Sequence, residues 1–254
     1  MRRSVPPLLW APGLLGLAFL VLPLVALVLR APWATLPGRL VEPGVLTALR
    51  LSVTTASAAT VLAVLVGVPL AVLLARVEFP GRRLVRALVT LPLVLPPVVG
   101  GVALLLVFGR RGVIGSWAGF SLAFTTAGVV LAEAFVALPF LVVSVEGALR
   151  AADRRYEEAA ATLGATRWTV FRRVTLPMVA PGLAAGTVLC WARALGEFGA
   201  TITFAGNFPG RTQTMPIAVY LALESDPDAA IVLSLVLLAV SVAILVTLRD
   251  RWLG

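Results

Sequence analysis

Apolar residues in this chain neither alternate with polar ones, as in a strand, nor form a narrow helical stripe. They run on in six stretches, at 8–29, 51–75, 87–108, 125–145, 179–203 and 229–248. A helix needs roughly 20 largely apolar residues to cross the hydrocarbon core of a bilayer, and each stretch is long enough. Short charged or Pro/Gly-rich segments join them. The pattern predicts an all-α, polytopic membrane protein with six transmembrane helices in one domain over 1–254. The first stretch follows Met1-Arg2-Arg3 and is longer than the ~7–15-residue core of a signal peptide. It is expected to be a retained anchor, although Ala31-Pro32-Trp33-Ala34 has features of a cleavage site.

Composition agrees with this class. The chain is 60% hydrophobic and 13% charged, whereas a soluble domain is about 45–50% apolar and about 25% charged. There is no His, a single cysteine (Cys190), and every basic residue is Arg. Without His, Ser-His and Cys-His dyads and an HExxH zinc site are excluded, and no metal site is expected. One cysteine makes no intrachain disulfide. Without Lys there is no GxxxxGK[ST] loop, so the chain lacks that means of binding ATP. The net charge of +9 fits the inner face of a membrane better than nucleic acid in a chain this apolar.

The arginines orient the spans. With the N-terminus inside, the inner segments carry 14 of them and the outer segments 6, with Arg193 inside a span. Both termini are therefore expected in the cytoplasm, and the segment 153–177 on the cytoplasmic side. Trp10, Trp33 and Trp252 stand near span ends, as interfacial anchors do.

The segment 153–177 predicts two short helices. Asp153 can cap the first, over 154–163, and Gly164 suits a left-handed stop. Thr166 can cap the second, over 167–175, and Pro177 would mark where span five begins. Ala159, Ala160 and Ala161 give a smooth surface for a second protein, with charges beside them. A solvated hairpin is the plainer reading.

The residues Glu158-Ala159-Ala160, then Gly164, then Val174-Thr175-Leu176-Pro177 resemble the EAA signature of ABC-importer permease subunits, EAA-x3-G-x9-I-x-LP, with Val174 in place of Ile. The resemblance extends from span two to span six and implies a type I importer-like permease fold. It implies that the loop docks on a separate ATPase subunit, through Glu157, Glu158, Ala159, Ala160, Thr162, Leu163, Gly164, Ala165 and Arg167. ATP and Mg would then be bound by that partner, with no cofactor in this chain. The stretches 192–220 and 91–112 are similar to the molybdate/tungstate branch. Gly196-Glu197-Phe198-Gly199 and Ala205-Gly206-Asn207 are shared with sulfate permeases, while the continuation Pro209-Gly210-Arg211-Thr212-Gln213-Thr214 favours molybdate. The family implies a homodimer, two ATPase subunits, an external substrate-binding protein, an oxyanion substrate, and alternating access in the inner membrane.

Within the spans, Pro92, Pro96 and Pro97 with Gly100 and Gly101 predict a kinked helix, beside a translocation path or simply packed. Gly182 and Gly186 suit close helix approach. Gly186, Cys190, Arg193, Glu197 and Thr201 fall on one face of a continuous helix. Arg193 and Glu197 read either as a structural ion pair or as a gate. Thr54, Thr55, Ser57 and Thr201 are further candidates for lining the path, although such hydroxyls also bond their own helix. Glu133 suggests an interhelical hydrogen bond more than a proton site. Beyond span five, Asn207, Arg211, Thr212 and Gln213 offer groups at an outer mouth, for the anion or the binding protein. The acidic Glu224, Asp226 and Asp228 follow, either solvated or facing a basic partner.

Two other classes stand against the permease. A proton-coupled secondary transporter would use Glu133 and Glu197, but it gives segment 153–177 no task and the chain shows no internal repeat. A membrane enzyme would need an acid dyad, and no span offers two suitable carboxylates.

Overall fold

Small residues decide how the spanning helices meet. The computed structural model describes residues 7–252, and the described residues contain helices but no strand. The helices are α1 (Trp10–Leu29), α2 (Leu36–Leu40), α3 (Pro43–Arg76), α4 (Arg82–Val94), α5 (Pro97–Phe108), α6 (Val113–Ala118) and α7 (Thr126–Ala151). They continue with α8 (Arg155–Thr162), α9 (Arg167–Val170), α10 (Leu176–Leu195), α11 (Gly199–Ala205), α12 (Met215–Ser225) and α13 (Pro227–Trp252). The core lies where α3, α7 and α10 pack together. On α3, Ala56, Ala59, Ala63 and Ala71 are buried, and Gly67 lies under Leu138 of α7. Gly182 and Gly186 press α10 onto Ala148 and Ser144 of α7, where a Cβ on either glycine would lie 2.4 or 2.7 Å from the facing Cβ. The close approach expected of that glycine pair is therefore present.

Six helical segments are long and apolar enough to cross a membrane: Trp10–Leu29, Pro43–Arg76, Pro97–Trp117, Thr126–Ala151, Arg167–Leu195 and Pro227–Ile244. The number expected from sequence holds, and the second, third and fifth spans shift most. The second span begins at Pro43 rather than 51, because the proline at the first turn starts the helix early.

The stretch 87–108 is not one helix. It ends at Val94, because Leu95 precedes a proline and is extended, and Pro96 is extended as well; the chain restarts at Pro97. The span-length segment here is Pro97–Trp117, from α5 into α6.

The stretch 179–203 is also broken. The helix ends at Leu195 and a new one starts at Gly199, so 196–198 leave the helix. The two breaks sit against each other. A Cβ on Gly199 would lie 2.9 Å from Pro97 Cβ, and one on Gly101 would lie 2.8 Å from the Ala200 carbonyl. The part of span five after the break, α11, thus packs on α5 and α7, whereas α10 packs on α7 and α3.

Candidate functional site

Segment 153–177 folds as a hairpin. Asp153 accepts the Arg155 N–H at 3.0 Å, and α8 covers Arg155–Thr162, somewhat shorter than 154–163. Gly164 has φ +83°, which only glycine adopts without strain. Its N–H reaches the Ala161 carbonyl at 3.0 Å, and the Ala165 N–H reaches the Ala160 carbonyl at 3.1 Å. This paired closure satisfies two carbonyls at the end of α8.

Thr166 caps α9 by accepting the Thr169 N–H at 3.3 Å. The expected second helix over 167–175 does not stop there. A π-helical turn, Phe171–Thr175, carries α9 directly into α10. Pro177 lies just past that π-helical turn, at the start of α10, and the helix runs through it without a break.

The hairpin sorts its two adjacent glutamates. Glu157 turns inward: its Oε1 accepts Arg76 Nη2 from the end of α3 at 2.7 Å and Thr175 Oγ1 at 2.9 Å. Glu158, Ala159, Thr162, Leu163 and Arg167 are exposed, with Ala160 and Ala165 partly so. Leu163 is 88% exposed, and Trp168, also exposed, stacks on Phe171 with ring centroids 5.7 Å apart. Between the hairpin and the spanning helices lies a cavity of about 440 Å³, lined by Val72, Arg76, Leu149, Glu157, Arg167 and Phe171.

At the same end, Arg86 Nη2 and Arg150 Nη2 meet Glu146 Oε1 at 2.6 and 2.7 Å. Arg82 donates to the Leu74 carbonyl in the last turn of α3 through Nε at 2.9 Å. Cations at a helix C-terminus complement its dipole.

Arg193 and Glu197 form the ion pair expected of them, with Nη2 and Oε2 2.5 Å apart in a charge contact that lacks hydrogen-bond geometry. Arg193 is 26% exposed and Glu197 1%. Glu197 lies past the end of α10, so the continuous face from Gly186 to Thr201 does not exist. Its Oε1 accepts the Ala200 N–H at 2.8 Å and so caps the start of α11. The carboxylate therefore holds the break and balances the arginine together.

The other path candidates separate. Pro96 and Pro97 are exposed at the paired break. Thr54 is exposed and bonds the Arg50 carbonyl at 2.8 Å. Ser57 is exposed and accepts Trp191 Nε1 of α10 at 3.1 Å. Thr55 and Thr201 are buried, which corrects their placement on a path in this conformation. Thr55 instead donates to Glu133 Oε1 at 2.9 Å, the interhelical bond expected for that acid.

Beyond α11, Asn207 and Arg211 are exposed and Gln213 is partly so. Thr212 is buried and accepts the Phe208 N–H at 2.9 Å, so it builds the turn instead of serving a mouth. Thr126 of α7 donates to the Arg211 carbonyl at 2.9 Å and ties the turn down. Asp226 does not belong to a free acidic patch. It pairs with Arg39 of α2 at 2.7 Å and accepts the Ala229 N–H at the start of α13. The hydrogen bond from Arg39 holds its carboxyl below the usual range. Among the described residues, no three His, Cys, Asp or Glu side chains gather as a metal site.

Arg76, Arg39 and the Glu146 cluster were not singled out from sequence. Arg76 and Glu157 are 81 residues apart, and spacing alone cannot bring them together.

Residues 67–254 match the family described as the binding-protein-dependent transport system inner membrane component, and the chain belongs to that family. It is a multi-pass inner membrane protein and a transport subunit of the ABC-importer permease type. It is 52% identical over 251 residues to the molybdenum transport system permease protein ModB of Mycobacterium tuberculosis, covering 98% of this chain and 95% of that one. It is 38% identical over 243 residues to the sulfate transport system permease protein CysT of Escherichia coli, covering 92% and 88%. A bacterial alginate ABC transporter bound to its periplasmic protein shares the fold at 18% identity, with a TM-score of 0.76 over 96% of this chain and 91% of that one.

Proposed function

We propose that this chain is the membrane subunit of an ATP-driven importer for molybdate or tungstate, working by alternating access. The observation that carries the substrate class is the 52% identity to ModB across nearly the whole of both chains, against 38% for the sulfate permease CysT. Two copies would form the pore. Two ATPase subunits would bind ATP and Mg on the cytoplasmic side, and an external binding protein would deliver the anion.

The hairpin 153–177 faces the ATPase subunit in this reading, and both termini are cytoplasmic. Support comes from the arginine bias and from the exposed side chains of Glu158, Leu163 and Trp168 on a hairpin with glycine at its turn. The Arg193–Glu197 pair serves to hold the break in span five, and Thr54 and Ser57 remain on the side open to a path.

The test is reconstitution of this chain with its ATPase subunits and binding protein in vesicles. Expected are ATP-dependent uptake of labelled molybdate, competition by tungstate, and little competition by sulfate. Uptake driven by a proton gradient without any ATPase subunit refutes the proposal, and sulfate competing as well as tungstate refutes the substrate.

A further inference from the structure

An open pocket of about 440 Å³ lies between the hairpin and the ends of α3 and α7, and α8 packs little on α3. Its chain connections run to α7 before it and to α10 after it. Among the described residues, one polar tie crosses to α3. The single oxygen Glu157 Oε1 accepts from Arg76, the last residue of α3, and from Thr175, the last residue of the π-helical turn. One atom thus holds three segments: the end of span two, helix α8, and the base of span five. Arg76 and Glu157 have side chains only 17% and 23% exposed, so solvent screens them weakly. The next residue, Glu158, is exposed and makes no ion pair among the described residues. The far side of the same helix end is fixed too, by Arg82 on the Leu74 carbonyl.

We infer that Arg76, Glu157 and Thr175 form a joint that carries displacement of the hairpin into span two, with Glu157 acting inside the subunit and not at the ATPase surface. Arg76 is a positioning residue. With the joint whole, α8, α3 and the base of α10 move as one piece. With it cut, the hairpin tilts over the cavity while α3 stays behind. The inference rests on the proposal that the hairpin receives the ATPase subunit.

The experiment uses the reconstituted complex with Arg76→Ala, Glu157→Gln and the exchanged pair Arg76→Glu with Glu157→Arg. Three quantities are read: assembly with the ATPase subunits, ATP hydrolysis, and molybdate taken up per ATP hydrolysed. Each single variant is expected to assemble and hydrolyse ATP while uptake per ATP falls on the order of tenfold, within the usual range of intersite coupling. The exchanged pair should recover most of the loss. Uptake per ATP unchanged in the single variants overturns the joint, as does loss of assembly in Glu157→Gln, which would place Glu157 at the ATPase surface.

A second measurement covers variants that fold poorly. Spin labels at Arg155 and Leu73, both exposed, report the spacing of α8 and α3 in the otherwise unaltered complex. The spacing should stay constant between nucleotide-free and ATP-trapped states, and a change overturns the inference. Failure of the hairpin reading itself is distinguishable. In that case Leu163→Asp would leave ATPase assembly intact.

Discussion

Replacing Glu197 by Gln separates the two tasks of that side chain. The amide oxygen of Gln can still accept the Ala200 N–H, so the cap on α11 survives. What disappears is the negative charge 2.5 Å from Arg193. Removing one partner of a fully buried ion pair costs about 3–5 kcal/mol. Arg193 is 26% exposed, so the cost should fall below that range. An unpaired arginine at mid-membrane costs about 2.5–3.5 kcal/mol by insertion. An ordinary interhelical hydrogen bond averages about 0.6 kcal/mol, which sets the lower bound. The loss expected for Glu197→Gln is therefore about 2–3 kcal/mol. The double variant Arg193→Met with Glu197→Gln should recover most of it, because no unpaired charge remains. The assay is reversible SDS unfolding in mixed micelles, followed by tryptophan fluorescence, for the wild type, both single variants and the double variant. A coupling energy below about 0.5 kcal/mol would refute the ion pair as a structural element. The double variant also decides between a brace and a gate. If the pair is a brace, ATP-dependent uptake persists in the double variant once it is folded; if Arg193 handles the anion, uptake is lost at full stability.

Thr55→Val removes the hydrogen bond to Glu133 Oε1, and Oε2 already lacks a hydrogen-bond partner. The expected loss is about 1–3 kcal/mol in the same unfolding assay, with Thr55→Ser near wild type. The Arg39–Asp226 pair gives a pH dependence of definite sign. The carboxyl of Asp226 is held low by Arg39 in the folded state, so the stabilisation is present above the ordinary Asp value of about 3.9 and is lost as pH falls through the lower folded value. Protease cleavage between α2 and α3 should therefore rise only on the acid side, below about pH 4, in the wild type. In Asp226→Asn it should be raised at every pH; a wild-type rise centred near pH 6 would refute the assignment.

What could be read from the chain was whatever depends on neighbours in sequence. Gly164, Thr166 and Asp153 act through bonds within five residues, and each was recognisable from residue type and spacing. The apolar runs showed the number of spans because length alone sets the crossing of a bilayer. The break at 196–198 was hidden for a physical reason. The four-residue spacing of Arg193 and Glu197 is that of a helix face, yet here it is met by a side chain that reaches back from the next segment while capping α11. Thr212 looked like a surface donor because turn residues usually are, and its burial depends on a bond to Phe208 within the folded turn. The tie between Arg76 and Glu157 belongs to tertiary structure alone.

The placement of charges and small residues together implies which parts move. The interfaces among α3, α7 and α10 are built from Ala and Gly against branched side chains, and such close contacts resist sliding. Ion pairs tie further segments to the ends of that unit, Arg76 of α3 to Glu157 of α8 and Arg86 of α4 to Glu146 of α7. By contrast α1 has no buried residue, while α13 is held mainly at its start, where Ala230, Val232 and Leu233 are buried and Leu233 packs with Val45, Ala48 and Met215. Span five has two parts. Before the break, α10 is locked to α7 and α3, and after it α11 is pressed against α5 by Gly101 and Gly199. The two parts of span five therefore pack on different sets of partners on the two sides of the break. The helix is interrupted at 196–198 and, facing it, at Leu95 and Pro96. Glu197 bridges that point, pairing with Arg193 of α10 and capping α11 at the Ala200 N–H.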